Sequence, residues 1–212
     1  MRKFIGIGLI FLIVSFVFII FYGTPWGNIQ AKREFTSFLE NKYDEPFHLK
    51  TPLFWIMDGN FHAEASPVAR PDLIFIVGTE QGEEGIQDNY FWESWRYEGH
   101  RDVTAIVAPY YGAKNIFVNL YNPSPPTDDA DLYAYEKYNL LDITIDLQEN
   151  PITSKEEVNT KIYQILVAIK QQEIPINDFS IWFKNGQFRI NQTELLELHK
   201  KADLHSYWAT SD

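Results

Sequence analysis

The strongest constraint on this chain is one uninterrupted apolar run near its start. Phe4 to Tyr22 is 19 residues without a charge, and only Gly6, Gly8 and Ser15 interrupt its apolar side chains. As an α-helix such a run extends roughly 28 Å, close to the ~30 Å hydrocarbon core of a bilayer. Arg2 and Lys3 stand before it. The positive-inside rule therefore keeps the N-terminus cytoplasmic and sends the rest of the chain across. A cleaved signal peptide needs a shorter apolar core and a small-x-small site. Here Gly23-Thr24-Pro25-Trp26 follows instead, and Pro and Trp crowd the cleavage zone. The pattern predicts an uncleaved signal anchor. Residues 1–27 are then a cytoplasmic start, a transmembrane anchor through Phe4 to Tyr22, and a short linker. The localisation that follows is the cell membrane, single-pass, with the C-terminal module outside.

Beyond the anchor, 16 basic residues face all 29 acidic ones, a net charge of −13. That balance excludes a nucleic-acid partner, which needs basic surface to neutralise phosphates. The absence of cysteine excludes a disulfide scaffold, a thiol nucleophile and thiolate metal sites. Aromatics make up 16% of the chain, too many for a disordered one.

The outer part divides at about residue 112 into two α+β subdomains, 28–112 and 113–212, with one continuous core as an open possibility. Asn28 is placed to cap a helix over 28–43, with Phe35, Phe38, Leu39 and Tyr43 at helical spacing. Strand material follows from Phe47 to Met57, then a turn at Asp58-Gly59. Phe61, Ala63 and Ala65 alternate with His62, Glu64 and Ser66, and Leu73 to Val77 is a continuous apolar strand. Gly78 to Gly85 is a loop. Asp88 caps a second helix that Gly99 interrupts and that Pro109 and Gly112 end. The first half is then a helix, three antiparallel strands and a helix, a cystatin-like arrangement.

In the second half, Ile116 to Tyr121 is a strand, 122–126 a proline loop, and Asp128 to Tyr138 a short acidic helix rich in tyrosine. Leu140 to Leu147 alternates as a half-buried strand. Thr153 and Glu156 form a capping box before a helix striped by Val158, Ile162, Ile165 and Ile169. Phe179 to Phe183 pairs with Phe188 to Ile190 across a type I′ turn at Asn185-Gly186. Asn191-Gln192-Thr193 starts a last helix carrying Leu195, Leu196, Leu198 and Leu204, and a polar tail follows.

No catalytic constellation emerges. Gly-x-Ser-x-Gly, a Walker loop and a dinucleotide fingerprint are absent from the sequence. His62 and Glu64 share a strand face, but a metal site needs three or four converging ligands. Asp128, Asp129 and Asp131 resemble the opening of a calcium loop, yet the glycine and bidentate glutamate positions hold Ala134 and Leu140. No metal and no cofactor are expected. The remaining candidate is a tyrosine-lined acidic surface: Tyr121, Asp128, Asp129, Asp131, Tyr133, Tyr135 and Tyr138. Hydrogen bonds and cation–π contacts would suit it to a basic peptide or another envelope protein.

The stretch Tyr22-Gly23-Thr24-Pro25-Trp26-Gly27 follows the anchor, and a charged amphipathic helix then ends near Lys42-Tyr43. With the Asp58-Gly59 hairpin and Asp72 before an apolar strand, this order resembles the YfjL-like family of uncharacterised, membrane-anchored proteins of Gram-positive bacteria. The resemblance covers about residues 1–110. It implies compartment and architecture and carries over no catalytic residue. The expected function is a single-pass membrane-anchored protein with an extracytoplasmic binding or structural module, not an enzyme. The alternative is a cell-envelope hydrolase using a carboxylate pair. N-terminal sequencing of the membrane-bound protein should find a start near Met1; a start between Gly23 and Asn28, with protein in the medium, overturns the uncleaved anchor.

Overall fold

In the first third of the chain, apolar residues four apart meet a strand whose alternate residues are small. The computed structural model describes residues 14, 25–55, 57, 59–79, 85–121, 135, 140–152 and 154–209. Helix α1 (Pro25–Tyr43) turns Ala31, Phe35 and Leu39 inward. Five strands follow: β1 (Phe47–Leu49), β2 (Leu53–Trp55), β3 (Asn60–Pro67), β4 (Phe75–Thr79) and β5 (Ile86–Asp88). They form an antiparallel sheet ordered β1-β3-β4-β5, and β2 also pairs with β3. β1 and β2 thus share one edge, interrupted at Lys50-Thr51-Pro52. Proline cannot donate to a ladder, and such a break protects an edge from pairing elsewhere. α1 packs on β1 and β3, over a core that includes Phe47, Ala63, Ala65, Phe75 and Val77.

Several expectations need correction. α1 includes Pro25, which suits a first helical turn because its missing N–H has no helical partner there. Asn28 lies inside the helix and caps nothing; its Oδ1 is buried without a partner. β4 begins at Phe75 rather than Leu73 and runs on through Gly78 and Thr79. Helix α2 (Tyr90–Tyr111) continues through Gly99 and Pro109. Gly99 is there for close approach, since a Cβ at that position would meet the Leu141 side chain at 3.0 Å. Pro109 sits in the last turn, and Gly112, at φ +77°, ends the helix. Of the apolar run Phe4 to Tyr22, only Val14 is described; it is helical and exposed. Among the described residues no helix is long and apolar enough to cross a membrane.

The chain divides into two compact units, Met1–Glu93 and Ser94–Asp212, and the boundary falls within the first turn of α2. The second unit contains β6 (Ile116–Tyr121), β7 (Leu140–Leu147), α3 (Lys155–Gln171), β8 (Ile176–Phe183) and β9 (Gly186–Asn191). It ends with α4 (Gln192–Glu197), a 3₁₀ turn (Lys201–Tyr207) and β10 (Trp208–Ala209). Its sheet order is β10-β9-β8-β7-β6. β7 and β8 are parallel, which needs a crossover of a dozen or more residues, and α3 supplies it. Ile143, Ile145, Phe179 and Ile181 of the sheet are fully buried, as are Ile162, Ile165, Leu166 and Ile169 of α3.

Here too local details differ. The cap of α3 is Ser154, whose side chain accepts from the Glu157 amide at 3.3 Å; Thr153 lies outside the described residues. The β8–β9 turn is Lys184-Asn185, with Phe183 facing Gly186. Neither turn residue has positive φ, so it is not type I′. Asn185 instead accepts from the Ile152 amide at 2.9 Å. Asn191 does start the last helix, through a reciprocal box with Glu194. The expected final helix breaks at Leu198, and Leu196 is exposed. The polar tail also holds a strand: the Trp208 indole donates to the buried Asn159 Oδ1 at 2.8 Å, and its ring stacks on Phe183.

One buried carboxylate ties the first unit together. Asp88 accepts from Tyr43 Oη (2.7 Å), Lys42 Nζ (2.8 Å) and the Tyr90 amide (2.9 Å). Burial first, then the neighbouring Asp88 charge, pushes the Tyr43 phenol far above its ordinary range. The native phenol keeps its proton where the unfolded one loses it, near pH ~10. This contribution to stability is therefore complete below that pH and is lost as pH rises beyond it. Thermal melts should be flat up to about pH 9 and fall above 10, and Tyr43→Phe should fall less steeply; equal slopes would remove Tyr43 as the cause.

Candidate functional site

Cross-strand neighbours share a sheet face, so β3 sorts its residues by parity. Ala63 and Ala65 face α1, while His62 and Glu64 face the other way. His62 stands opposite Gly78 of β4 and Leu53 of β2, and Glu64 stands opposite Ile76. This outer face is open. Leu53, Trp55, Ile74 and Ile76 are all exposed on or beside it.

Two adjoining hollows mark that face. A groove of about 580 Å³ is lined by Leu53, Trp55, Glu64 and Lys50 among others. A cavity of about 310 Å³ is lined by Gly78, Gln87, Asn89 and Trp92. His62 and Ile76 line both. The His62 imidazole lies against the Trp55 indole, with centroids 4.5 Å apart and planes at 34°. It fits there because position 78 has no side chain: a Cβ on Gly78 would collide with His62 Nδ1 and come within 2.9 Å of the Phe61 carbonyl.

Most charges around the hollows are engaged, while Lys32 of α1 lines the groove without an ion pair among the described residues. Lys50 and Glu64 form an exposed ion pair at 2.6 Å, and Asp88 is bound by Tyr43, Lys42 and the Tyr90 amide. Asn89 Oδ1 accepts from the Ile76 amide at 2.7 Å. What the site offers is therefore mainly stacking surface and amide hydrogen bonds. Among the described residues no three potential metal ligands gather.

The candidate tyrosine surface is only partly described. Tyr121 is exposed at the end of β6. Tyr135 is buried, and its hydroxyl donates to Asp102 at 3.2 Å. Asp102 also binds Arg101, which pairs with the buried Glu98. Tyr135 thus belongs to a partly buried polar network that reaches the surface through Arg101. Asp128, Asp129, Asp131, Tyr133 and Tyr138 lie outside the described residues.

A carboxylate pair does occur on the second sheet, where Asp142 and Asp178 are partners across the parallel strands. Asp142 accepts from Asn177 at 2.8 Å, and Asp178 from Arg189 at 2.5 Å. A cavity of about 350 Å³ is lined by Asp178 and Arg189, and Asp142 is not among its lining residues. The β6 edge is partly covered. The Ile116 carbonyl meets His100 Nε2 at 3.3 Å. Ile116 and Val118 are only 4% and 3% exposed, while Phe117 and Tyr121 are exposed.

No family model and no curated protein matches the chain. A crystal structure of a DUF5037 family protein from Ruminococcus gnavus ATCC 29149 is similar over 78% of this chain and 77% of that one. The identity is 12% and the TM-score 0.40, a likeness too slight to inform function.

Sequence reasoning placed His62 and Glu64 on one wet face. It missed Gly78 and Gln87, which reach the site only through strand pairing, while Trp92 joins them from α2. Gly78→Ala should destabilise the chain by about 1–3 kcal/mol, the usual cost of overpacking. Adding His62→Ala should recover part of that in a denaturation cycle. A double variant no more stable than Gly78→Ala alone would make the Phe61 carbonyl, not His62, the limiting contact.

Proposed function

We propose that this is a single-pass, membrane-anchored protein that displays a non-enzymatic binding module outside the cell membrane. The open face of the first sheet is its ligand-bearing surface. The observation that carries the reading is the pair of adjoining hollows at His62. They combine exposed aromatic and aliphatic surface with amide groups, the mixture that binding sites use for contact and orientation. The anchor rests on the Phe4 to Tyr22 run and its basic flank. The similarity to the YfjL-like family points to the same compartment. One helix across an antiparallel sheet supports a cystatin-like description of the first unit.

A second reading, a cell-envelope hydrolase, is favoured by the adjacency of Asp142 and Asp178. Glycoside hydrolysis needs two carboxylates on either side of one bond, and here both are occupied by neighbouring side chains. The binding reading is the better supported.

Affinity capture from detergent-solubilised membranes tests it. Ile76→Lys changes an exposed side chain shared by both hollows, so folding should persist while partner capture is lost. Unchanged capture would move the binding surface elsewhere. Release of sugar from wall polymer, abolished by Asp178→Asn, would favour the hydrolase.

A further inference from the structure

Four of the most exposed apolar residues of the first unit lie toward one end, while Val68 and Ile74 are exposed toward the other. α1 has 19 residues, roughly 28 Å of helix. After its C-terminus the chain turns within Asp44–Pro46 and returns along β1 and β2. From Phe47 to Trp55 this return covers roughly 26 Å at strand rise. The β2–β3 tip therefore lies back at the level where α1 begins. The groove confirms the direction, because Lys32, in the second turn of α1, lines it together with Thr51, Leu53 and Trp55. At this end Trp26 is 68% exposed, Ile29 57%, Trp55 53% and Met57 99%.

We infer that this end of the first unit docks on the bilayer: Trp26 and Ile29 of α1 and Met57 at the tip of the β2–β3 hairpin enter the interfacial layer, so that the unit stands end-on to the membrane with Trp55 left to the groove above it. The inference rests on the anchor proposed above. Tyr22 ends the apolar run, and Trp26, four residues on, is at most about 14 Å away even in a fully extended chain. Tryptophan favours the membrane interface because its ring is apolar and its N–H polar. Local charge agrees. The outer part carries −13 overall, yet residues 25–33 hold Lys32 and Arg33 with no acid, and residues 51–62 hold one acid, Asp58. Anionic headgroups repel the body of the module and spare this end.

The cysteine-free sequence makes the test direct. Single cysteines are introduced into the full chain as Leu12→Cys, Met57→Cys and Glu40→Cys. Each carries an environment-sensitive fluorophore, and the protein is reconstituted in phosphatidylcholine–phosphatidylglycerol liposomes containing nitroxide lipids. Met57 and Glu40 are both exposed, so labels there leave the core alone. The expected result is strong quenching at positions 12 and 57, several-fold above that at 40, with a blue-shifted emission at 57. Quenching at 12 but not at 57 would keep the anchor and overturn the docking. Equal quenching at 57 and 40 would overturn the end-on orientation. No quenching at 12 would overturn the anchor, and the docking with it.

Discussion

The first unit depends on a charge that has left water. Asp88 is the last residue of β5, and its side chain is 1% exposed. Burying a carboxylate is costly unless strong donors surround it. The donors come from two places: the end of α1 through Lys42 and Tyr43, and the amide of Tyr90 at the start of α2. Tyr90 is also fully buried. Its ring lies near Phe47 and Phe75, and its hydroxyl binds Glu45 and Arg70. Helix end, sheet edge and helix start are thus joined at one point, which fixes where α1 lies on the sheet.

That placement explains why the other sheet face is open. α1 packs over the Ala63–Ala65 side. On the His62–Glu64 side Leu53, Trp55 and Ile76 stay exposed, and helix residues Lys32 and Trp92 reach only the walls of its hollows. A sheet with one wet face would ordinarily make that face polar. Leu53, Trp55 and Ile76 depart from that rule, and they are the residues on which the proposed binding surface rests. The second sheet divides more conventionally: its inner residues are mainly isoleucine, leucine and phenylalanine, and Asp142, Thr144 and Asp146 lie half-buried on the other face.

Much of this was legible in the residues. β6 and β7 lie where alternation put them, Ile116–Tyr121 and Leu140–Leu147, because a half-buried strand announces its period directly. The parallel pairing of β7 with β8 was not legible, since alternation specifies faces and not partners. Ser154 displaced Thr153 as the cap, a shift of one residue between two equally suited side chains. Gly99 looked like a helix breaker and proved to be a contact point, a distinction that only Leu141 could make. The site followed the same division. His62 and Glu64 are two apart on one strand and could be placed together. Gly78 and Trp92 join them from 16 and 30 residues further on, through a glycine whose contribution is an empty space.

The Trp208–Asn159 hydrogen bond gives the second unit an order of assembly. Asn159 belongs to the crossover helix, made well before the end of the chain, and its buried Oδ1 finds its indole donor 49 residues later. A domain emerging from synthesis folds as its residues become available. Through most of its own translation, then, this unit holds an interior acceptor with no donor, over a sheet still missing its outermost strand. Closure of this unit waits for Trp208: without that indole the buried Asn159 acceptor and the β9 edge both stay unpaired.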